Sequence, residues 1–448
     1  MNFDLRNGDC VEIMRSLPAN SVDSIVTDPP YELGFMGKSW DSTGIAYSIE
    51  LWTEALRVLK PGGHLLAFSG SRTYHRMACA IEDAGFEIRD QIMWVYGSGF
   101  PKSLDVSKAI DKQSGVEREK VRINASEVRN PKSTGGGRDG TEGATRPWIE
   151  KALEIGYHEK DSDIPTTDKA KQWAGWGTAL KPAHEPIVMA RKPLIGTVAA
   201  NVIIHGTGAL NIDGSRVGTT VETWPTSRSY AAGQMQPGHK GKTESTGKAP
   251  EGRWPANFIH DGSDEVVDLF PDSKSAGRFP KNSGGIGTDA GIYGKANGID
   301  QTERNLDSGS AARFFYCAKA SKKDRNAGLD DFDGKETGAK GNGLARTCAT
   351  CGASTLQGCE CPDRTYVNPT RANHHPTVKP TDLMRYLVKL VTPPHGTVLD
   401  PFTGSGSTGK AAMLEGFNFI GCELDPDYIA IANARIKHAL EEQQGRLL

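Results

Sequence analysis

The tetrapeptide Asp28-Pro29-Pro30-Tyr31 places a carboxylate, two prolines and an aromatic ring directly after an apolar run. Each proline fixes its own φ near about −65° and keeps the preceding residue extended, so the carbonyl of Pro29 has a set direction. A carboxylate and a fixed carbonyl can accept both hydrogens of one amine, and the ring of Tyr31 can stack on the group that carries that amine. Taken alone, the tetrapeptide fits a proline-stiffened turn after a strand equally well.

A second segment whose residues could take part in binding or catalysis lies between a short apolar strand and a helix. This glycine-rich segment is V-L-D-P-F-T-G-S-G-S-T-G, at 398–409. Gly404 and Gly406 allow a tight turn close to a ligand, and the next helix offers unpaired N–H groups. The absence of a Gly-Lys-Ser/Thr ending argues against a P-loop, and Glu423 at the end of the following strand suits the two hydroxyls of a ribose. The segment predicts a nucleoside-cofactor site, with a purely structural strand–turn–helix as the alternative.

Strand and helix patterns alternate at both ends of the chain, and they must position these two segments. Near the start, strands are predicted at 22–27, 64–68 and 86–96, with helices at 49–59 and 72–84. Near the end, strands are predicted at 397–400 and 417–422, with helices at 381–391, 407–415 and 426–442. This alternation predicts an α/β fold with a mostly parallel sheet and helices on both faces.

The charge is unevenly distributed along the 448 residues. Residues 1–60 carry a net −4 and residues 391–448 a net −3, which leaves +5 for the middle of a chain whose total is −2. Acidic ends and a basic middle fit a catalytic body made by the ends and a middle that contacts a polyanion, although a solvated mixed surface fits as well. Apolar runs fall short of the ~20 residues of a membrane span, which predicts a soluble cytoplasmic protein without membrane contact.

Together, D-P-P-Y and D-P-F-T-G-S-G resemble the DNA amino-methyltransferases that use S-adenosylmethionine, and their order resembles the beta group of that family, including its phage or orphan members. The resemblance covers about residues 1–100, 181–192 and 374–440. It implies a Rossmann-like, circularly permuted methyltransferase sheet and methyl transfer to an amine of a flipped-out base. An acid before P-P-Y favours adenine N6, whereas many N4-cytosine enzymes of the family have Ser there, so cytosine stays the alternative.

The resemblance also assigns roles to individual residues. Asp28, Pro29, Pro30 and Tyr31 would be catalytic. The methionine part would contact Asp400, Phe402, Gly404 and Gly406, the ribose Glu423, the adenine Asp9, and the carboxylate end Thr377 and Lys379 of H-P-T-V-K-P. The neighbouring residues that would complete the cofactor site are Cys10, Pro401, Ser405 and Thr408. H-E-P-I-V-M-A-R-K, at 184–192, resembles the outer strand that completes the sheet beside 86–96.

The domain limits follow from this coverage. Residues 1–100 are predicted to form the catalytic half, 101–180 an insertion, 181–192 the outer strand, 193–373 a loop-rich target-recognition domain, and 374–448 the cofactor-binding half. The tryptophans of W-A-G-W-G, at 173–177, are expected to pack in a core. The glycine-punctuated loop 32–41 is expected to close over the base, with a plain surface loop as the alternative.

Four cysteines in the middle form C-x2-C-x7-C-x-C, namely Cys348, Cys351, Cys359 and Cys361. Four thiolates can complete a structural zinc site, and this is favoured over disulfides in a chain with no sign of secretion. The best DNA-contact candidates lie where cations alternate with aromatics at 313–325, although those aromatics could equally be core residues at a strand. The candidates are Lys38, Arg313, Lys319, Lys322, Lys323 and Arg325.

Two other classes of function compete with DNA methylation. A protein glutamine methyltransferase would share the use of an acid and a rigid carbonyl, but the permuted order and the basic middle disfavour it. A non-enzymatic DNA-binding module is disfavoured because D-P-P-Y and the glycine-rich segment 398–409 are both intact. The sequence leaves open whether the protein forms a homodimer and whether a restriction partner exists.

Overall fold

The computed structural model describes residues 1–34, 41–99, 103–124, 157–222, 251–274, 308–318, 321–330, 332, 335–336, 347–348, 361, 366–367 and 370–447. The strands are β1 Phe3–Asn7, β2 Val22–Thr27, β3 Leu59–Phe68, β4 Glu87–Val95, β5 Lys120–Asn124, β6 Tyr157–Asp161, β7 His184–Arg191, β8 Val217–Glu222, β9 Glu251–Arg253, β10 Phe258–His260, β11 Asp272–Lys274, β12 Ser308–Ser310, β13 Tyr316–Cys317, β14 Lys335–Glu336, β15 Thr347–Cys348, β16 Tyr366–Val367, β17 Thr370–Arg371, β18 Thr397–Asp400 and β19 Asn418–Glu423. The α-helices are α1 Cys10–Ser16, α2 Ile49–Val58, α3 Tyr74–Asp83, α4 Val106–Gln113, α5 Asp168–Gln172, α6 Val198–His205, α7 Asp264–Val267, α8 Lys322–Asn326, α9 Thr381–Val391, α10 Ser407–Leu414 and α11 Pro426–Leu447. Among the described helices, none is long and apolar enough to span a membrane.

Nine strands form one central sheet, in the order β1-β19-β18-β2-β3-β7-β4-β10-β13. Neighbouring strands are parallel, except that β7 runs antiparallel to both β3 and β4. The other described strand pairs are two-stranded and antiparallel. The predicted fold class, α/β with a mostly parallel sheet, is confirmed.

Both faces of the central sheet are buried under helices. Successive residues of a strand point to opposite faces, so Val26 belongs to one apolar core and Ile25 to the other. Helices α9, α10 and α11 pack on the first face, and α1, α2 and α3 pack on the second. This double cover explains why all six residues of β2 are buried, a continuous pattern typical of central parallel strands.

The two ends of the chain meet at one edge of the sheet. Strands β1, β19, β18 and β2 are consecutive and parallel, so their carboxyl ends lie side by side. Asp28 follows β2, the glycine-rich segment follows β18, Glu423 ends β19, and Asp9 follows β1. Open parallel sheets bind ligands at the carboxyl ends of their strands. The fold therefore brings the D-P-P-Y segment and the glycine-rich segment to the same edge of the sheet.

Most predicted elements of the two ends are confirmed to within two residues, including β2, α9 and β18 without any change of bounds. Strand β1 and helix α1 were not predicted, and α11 continues to Leu447 rather than stopping at 442. Strand β3 begins at Leu59 and runs through Pro61 and Gly62, where the sequence predicted a break. The register against β2 shifts between Val22 and Ser24, and such an irregularity admits a proline inside a paired strand.

The position of β7 corrects the prediction of an outer strand. It does lie beside β4, as predicted, but it is inserted between β3 and β4 and is therefore interior. Beyond β4 the sheet continues with β10 and β13, which come from the range predicted as a target-recognition domain. Parts of that range thus extend the central sheet, while the domain limits themselves stay a prediction.

The described part of the insertion 101–180 packs around a buried ion pair. Arg118 Nε donates to Asp111 Oδ2 at 2.7 Å, and the two side chains are 4% and 2% exposed. Asp111 also accepts hydrogen bonds from the backbone and hydroxyl of Thr167. The expectation that both tryptophans of W-A-G-W-G lie in a core is wrong for Trp176, which is 60% exposed and contacts Trp173 edge to face.

Candidate active site

A cavity of about 1730 Å³ opens at the carboxyl edge of the sheet. It is lined by both ends of the chain, with Asp28 and Tyr31 from the first half and Gly404 and Glu423 from the second. Single ligands of drug size occupy pockets of roughly 300–1,000 Å³. The cavity is thus large enough to hold two ligand groups side by side.

Asp400 fixes the start of the glycine-rich loop. Its Oδ1 accepts hydrogen bonds from Thr27 Oγ1 at 2.6 Å and from the amide of Phe402 at 3.0 Å. Burial raises the pKa of Asp400 to about 6, against the opposing effect of the hydrogen bonds from Thr27 and Thr408. The carboxyl group therefore connects the loop to β2, at the base of D-P-P-Y.

Gly404 and Gly406 both adopt left-handed backbone conformations, with φ of 52° and 81°. A Cβ atom at Gly406 would lie 2.9 Å from Cα of Ala432, and one at Gly404 would lie 2.8 Å from Nε2 of His375. Any other residue would be strained at these positions and would also meet a neighbour. The two glycines allow the loop to pass close to His375 and Ala432; Gly404 lines the cavity, whereas Gly406 is not among its lining residues.

A buried arginine that the sequence analysis did not single out fixes the loop from α11. Nη1 of Arg435 donates to the carbonyl oxygen of Ser405 at 2.5 Å and to its Oγ at 3.0 Å. Burial lowers the pKa of Arg435 to about 10. Ser405 lines the cavity, as do the predicted residues Phe402, Thr408 and Thr377, whereas Pro401 is buried and is not among the lining residues.

Glu423 faces the cavity with hydrogen-bonding capacity to spare. Its Oε2 accepts from the amide of Gly404 and its Oε1 from the amide of Asp425, each at 2.8 Å. Burial raises its pKa, and the two amide hydrogen bonds oppose that rise. Each carboxylate oxygen has a second lone pair, so the group can accept two further hydrogen bonds, as the predicted ribose contact requires.

Asp9 and Cys10 also line the cavity. Oδ1 of Asp9 accepts from the amides of Val11 and Glu12, so Asp9 caps the N-terminus of α1. Cys10 is buried, and this burial raises the pKa of its thiol to about 12, so it stays protonated at neutral pH. The capping role, which the sequence analysis did not predict, leaves Oδ2 of Asp9 for a ligand.

Asp28 presents one engaged and one unengaged carboxylate oxygen. Oδ2 accepts a hydrogen bond from Lys379 Nζ at 2.8 Å. Oδ1 is buried without a hydrogen-bond partner. Pro29, Pro30 and Tyr31 line the cavity beside it. The arrangement can accept a hydrogen from a donor that enters the cavity next to Tyr31.

Lys379, predicted to bind the carboxylate end of a cofactor, contacts the D-P-P-Y segment, and its contact with a cofactor stays a prediction. Its ammonium contacts the carboxylates of Asp28 at 2.8 Å and Glu185 at 3.2 Å, and it donates to the hydroxyl of Tyr31 at 3.0 Å. It also lies 4.9 Å from the ring centroid of Phe68. Burial alone would lower the pKa of Lys379, but the two carboxylates outweigh it and raise that pKa. The charge of Lys379 thus serves the D-P-P-Y segment.

Glu185 is the acidic residue of this cluster that sequence reasoning missed. It lies on β7, and its Oε2 accepts a hydrogen bond from the hydroxyl of Tyr31 at 2.8 Å. Burial, together with the charges of Asp28 and Glu185, raises the pKa of Tyr31 well above its usual range. The one available signal was an acid just before the apolar centre of the strand H-E-P-I-V-M-A-R.

A second missed residue, Asp41, anchors the backbone that follows Tyr31. Its two carboxylate oxygens accept from the amides of Glu32 and Leu33 at 3.0 and 3.2 Å. Asp41 is 1% exposed, and Glu32 adopts a left-handed conformation with φ of 56°. Residues 35–40, the centre of the loop expected to close over the base, lie outside the described residues.

Arg325 and Arg313, two of the DNA-contact candidates, make contacts within the chain. Arg325 donates to the carbonyl oxygens of Asn373 and His375, which connects α8 to the H-P-T-V-K-P segment at the cavity. Arg313 donates to the carbonyl oxygen of Ser310 at 2.7 Å. These contacts give both arginines structural roles, and contact with DNA stays a prediction for them.

Two of the aromatic residues between those arginines are half-buried and pack on the sheet, as in the second interpretation, whereas Phe314 lies under the guanidinium groups of Arg253 and Arg313. Tyr316 belongs to β13 and stacks on Tyr386 with ring centroids 4.1 Å apart. Phe315 lies 4.9 Å from Phe258 of β10. Of the lysine candidates, Lys323 is exposed, while Lys38, Lys319 and the side chain of Lys322 lie outside what the structure describes.

The predicted zinc site also lies largely outside the described residues. Cys351 and Cys359 are not described, and only the backbone of Cys348 is, in β15. In the ranges that are described, no group of His, Cys, Asp or Glu side chains is placed to hold a metal ion. Zinc binding by this segment stays a prediction.

A protein-family model described as DNA methylase matches residues 22–434, which is most of the chain. The protein therefore belongs to the N6/N4 family of DNA methylases, which confirms the resemblance seen in D-P-P-Y and the glycine-rich loop. The match spans both halves of the cavity and the entire region between them.

Individual relatives match over shorter stretches. The type II methyltransferase M.BglI of Bacillus subtilis is 42% identical over 73 residues, which are 16% of this chain and 21% of that protein. The protein named YubD of Escherichia coli strain K12 is 44% identical over 63 residues, 14% of this chain and 28% of that protein. These matches thus span less than a third of the length of each relative. Among solved structures, the cytosine-N4-specific PvuII DNA methyltransferase is 12% identical, with a TM-score of 0.41 over 100% of this chain and 93% of that one.

Proposed function

We propose that this protein transfers a methyl group from S-adenosylmethionine to an exocyclic amine of a base in DNA, with adenine N6 as the favoured acceptor. The observation that carries the proposal is Oδ1 of Asp28, which is buried without a partner at the wall of the large cavity. Buried polar atoms are normally hydrogen-bonded, and a carboxylate oxygen needs a donor. The N–H of an amine that enters the cavity would supply it.

The residues around the glycine-rich loop fit S-adenosylmethionine, which would supply a methyl group activated on a sulfonium. Glu423 has lone pairs left for two ribose hydroxyls, and Oδ2 of Asp9 is available for the adenine amine. Phe402, Gly404 and Ser405 of the loop line the cavity beside them. Because Lys379 is engaged by Asp28 and Glu185, we assign the carboxylate end of the cofactor to Thr377 and the loop amides instead.

The D-P-P-Y segment would activate the acceptor amine. An exocyclic amine is a poor nucleophile because its lone pair is delocalised into the base. When Oδ1 of Asp28 accepts one N–H and the carbonyl of Pro29 accepts the other, the lone pair is directed out of the ring plane towards the methyl group. The base must leave the duplex to reach this depth, and Tyr31 offers it a stacking surface.

The choice of adenine rests on the acid in front of P-P-Y, by the resemblance already described. Cytosine N4 would be activated by the same contacts, so the same experiment must read out both bases. The protein would be incubated with unmethylated DNA and S-adenosylmethionine carrying a deuterated methyl group, and the nucleosides would be analysed by mass spectrometry. Deuterated N6-methyladenine is the expected product. N4-methylcytosine would mean that the target base is cytosine instead of adenine. The absence of label from both duplex and single-stranded DNA would contradict the proposal.

A paired set of variants tests the role of Asp28 within that experiment. Asp28→Asn keeps the size of the side chain but removes the charge, and we expect it to lower the methylation rate by about 10²-fold or more. Asp268→Asn is the control, because Asp268 is exposed and does not line the cavity. A wild-type rate for Asp28→Asn would show that the mechanism is wrong even if the DNA is methylated.

A further inference from the structure

We infer that Glu185 is a positioning residue of the methyl-transfer site, which holds Lys379 and Tyr31 in place around Asp28 and keeps the cluster net negative. The inference rests on the proposed function and adds to it a residue outside the D-P-P-Y and glycine-rich segments. Glu185 reaches the site because β7 is inserted between β3 and β4, where it pairs with Trp94 of β4.

The contacts of Glu185 connect it to Asp28 by two routes. In the first, Nζ of Lys379 lies between the two carboxylates, 2.8 Å from Asp28 and 3.2 Å from Glu185. In the second, Oε2 of Glu185 accepts from the hydroxyl of Tyr31, which itself accepts from Lys379 at 3.0 Å. Lys379 is 9% exposed and the two acids are 18% and 19% exposed, so little water screens these contacts.

The charge balance gives Glu185 a role beyond packing. Two carboxylates and one ammonium leave the cluster with a net charge of −1, whereas Asp28 and Lys379 alone would be neutral. Of the other titratable groups that line the cavity from the second half of the chain, His375 adds no charge at neutral pH, because burial lowers its pKa to about 4. The remaining groups on that side include Arg325, Asp400 and Glu423. Within the cluster of Asp28, Lys379 and Glu185, one negative charge is therefore left that Lys379 does not compensate.

This negative charge is placed where positive charge develops during methyl transfer. The lone pair of the amine forms the new N–CH3 bond, and sulfur keeps the electron pair of the bond that breaks. Positive charge thereby moves from sulfur to the amine nitrogen, which then loses one N–H proton through Oδ1 of Asp28 to water in the cavity. A fixed negative charge next to that nitrogen stabilises the transition state more than the ground state.

Three variants separate the charge of Glu185 from its hydrogen bond. Glu185→Gln keeps the size and can still accept from Tyr31, but it removes the charge. Glu185→Asp keeps the charge on a shorter side chain. Tyr31→Phe removes the hydroxyl and keeps the ring. Glu441→Gln is the matched control, because its carboxylate is 63% exposed on α11 and does not line the cavity.

The test measures single-turnover methylation rates of these variants, together with the dissociation constant for S-adenosylmethionine by calorimetry and the melting temperature. We expect Glu185→Gln to lower the rate at least about 10-fold, with a dissociation constant within twofold of wild type. Glu185→Asp should recover part of the loss, and Tyr31→Phe should lower the rate less than Glu185→Gln does.

The inference would be overturned by a Glu185→Gln rate above half that of wild type, by equal rates for the Gln and Asp variants, or by a Gln variant that is unfolded at the assay temperature. Each of these results presupposes an active wild-type enzyme, so each leaves the proposed function standing. A wild-type protein that methylates no DNA would instead overturn the proposed function and this inference together.

Discussion

Substituting alanine for Gly406 should disrupt the glycine-rich loop. A second glycine in the same chain supplies a matched control. Gly406 has φ of 81° and Gly175 has φ of 80°, so alanine meets the same backbone strain at both positions. The surroundings differ completely. A Cβ at Gly406 would lie 2.9 Å from Cα and 3.0 Å from Cβ of Ala432, whereas a Cβ at Gly175 would have nothing within 4 Å.

The magnitude follows from these two differences. Left-handed alanine costs about 1–2 kcal/mol relative to glycine, and this applies to both variants. The contact with Ala432 adds about 1–3 kcal/mol at Gly406 alone, since neither backbone can move without disturbing α11 or the loop. Any movement of the loop also reaches Gly404 and Ser405, so we expect S-adenosylmethionine affinity to fall about 10-fold or more, equivalent to about 1.4 kcal/mol.

The assay compares Gly406→Ala with Gly175→Ala by thermal unfolding and by calorimetric titration with S-adenosylmethionine. Gly406→Ala should melt at a lower temperature than Gly175→Ala, and only Gly406→Ala should bind the cofactor more weakly. Equal melting temperatures together with unchanged affinity would refute the reasoning, because they would mean that the contact with Ala432 does not constrain the loop.

Three other outcomes test the insertion, the H-P-T-V-K-P segment and the cysteine segment. Arg118→Met should lower the melting temperature, because Asp111 would lose its cation while it stays enclosed by the hydrogen bonds from Thr167; an unchanged melting temperature would contradict this. Burial lowers the pKa of His375 from 6.5 to about 4, so between pH 6.5 and about 4 the unfolded chain binds a proton at His375 that the folded chain does not. As the pH falls through this range, the melting temperature of the wild type should therefore decrease more than that of His375→Gln. Equal losses in the two proteins would mean that His375 takes up its proton over the same pH range in the folded and the unfolded chain. Metal analysis should find one zinc per chain, and a Cys351→Ser protein with the same zinc content would refute the assignment.

The elements at the two ends of the chain could be predicted because their sequences carry strong local patterns. Strand β2, V-D-S-I-V-T, is rich in β-branched residues, and α9 has apolar residues on one face and a proline before its first residue. Strand β1, with three intermediate and two exposed residues, carries no such pattern and was missed. Strands β10 and β13 have three and two residues, which is too short for any periodicity to appear.

The site could be predicted only where its residues form compact segments. Asp28 and Tyr31 stand within one tetrapeptide, and the glycines of the loop are two positions apart. The cluster around Lys379 joins positions that are 154 and 351 residues apart in sequence, and no local pattern encodes such contacts. Lys379 was therefore assigned to the cofactor from its neighbours in sequence, and Glu185 was not assigned at all.

The sheet order has a consequence for how the protein is made. The hydroxyl of Thr27 donates a hydrogen bond to Asp400, although the two residues are 373 positions apart in sequence. At roughly 5–20 residues per second, a ribosome takes about 20–75 s to travel between them. During that interval β1 lacks β19, the one strand it pairs with in the described sheet, and β2 lacks β18. A nascent chain is thus expected to expose apolar strand edges to chaperones and to acquire its cofactor site only after residue 423 has emerged.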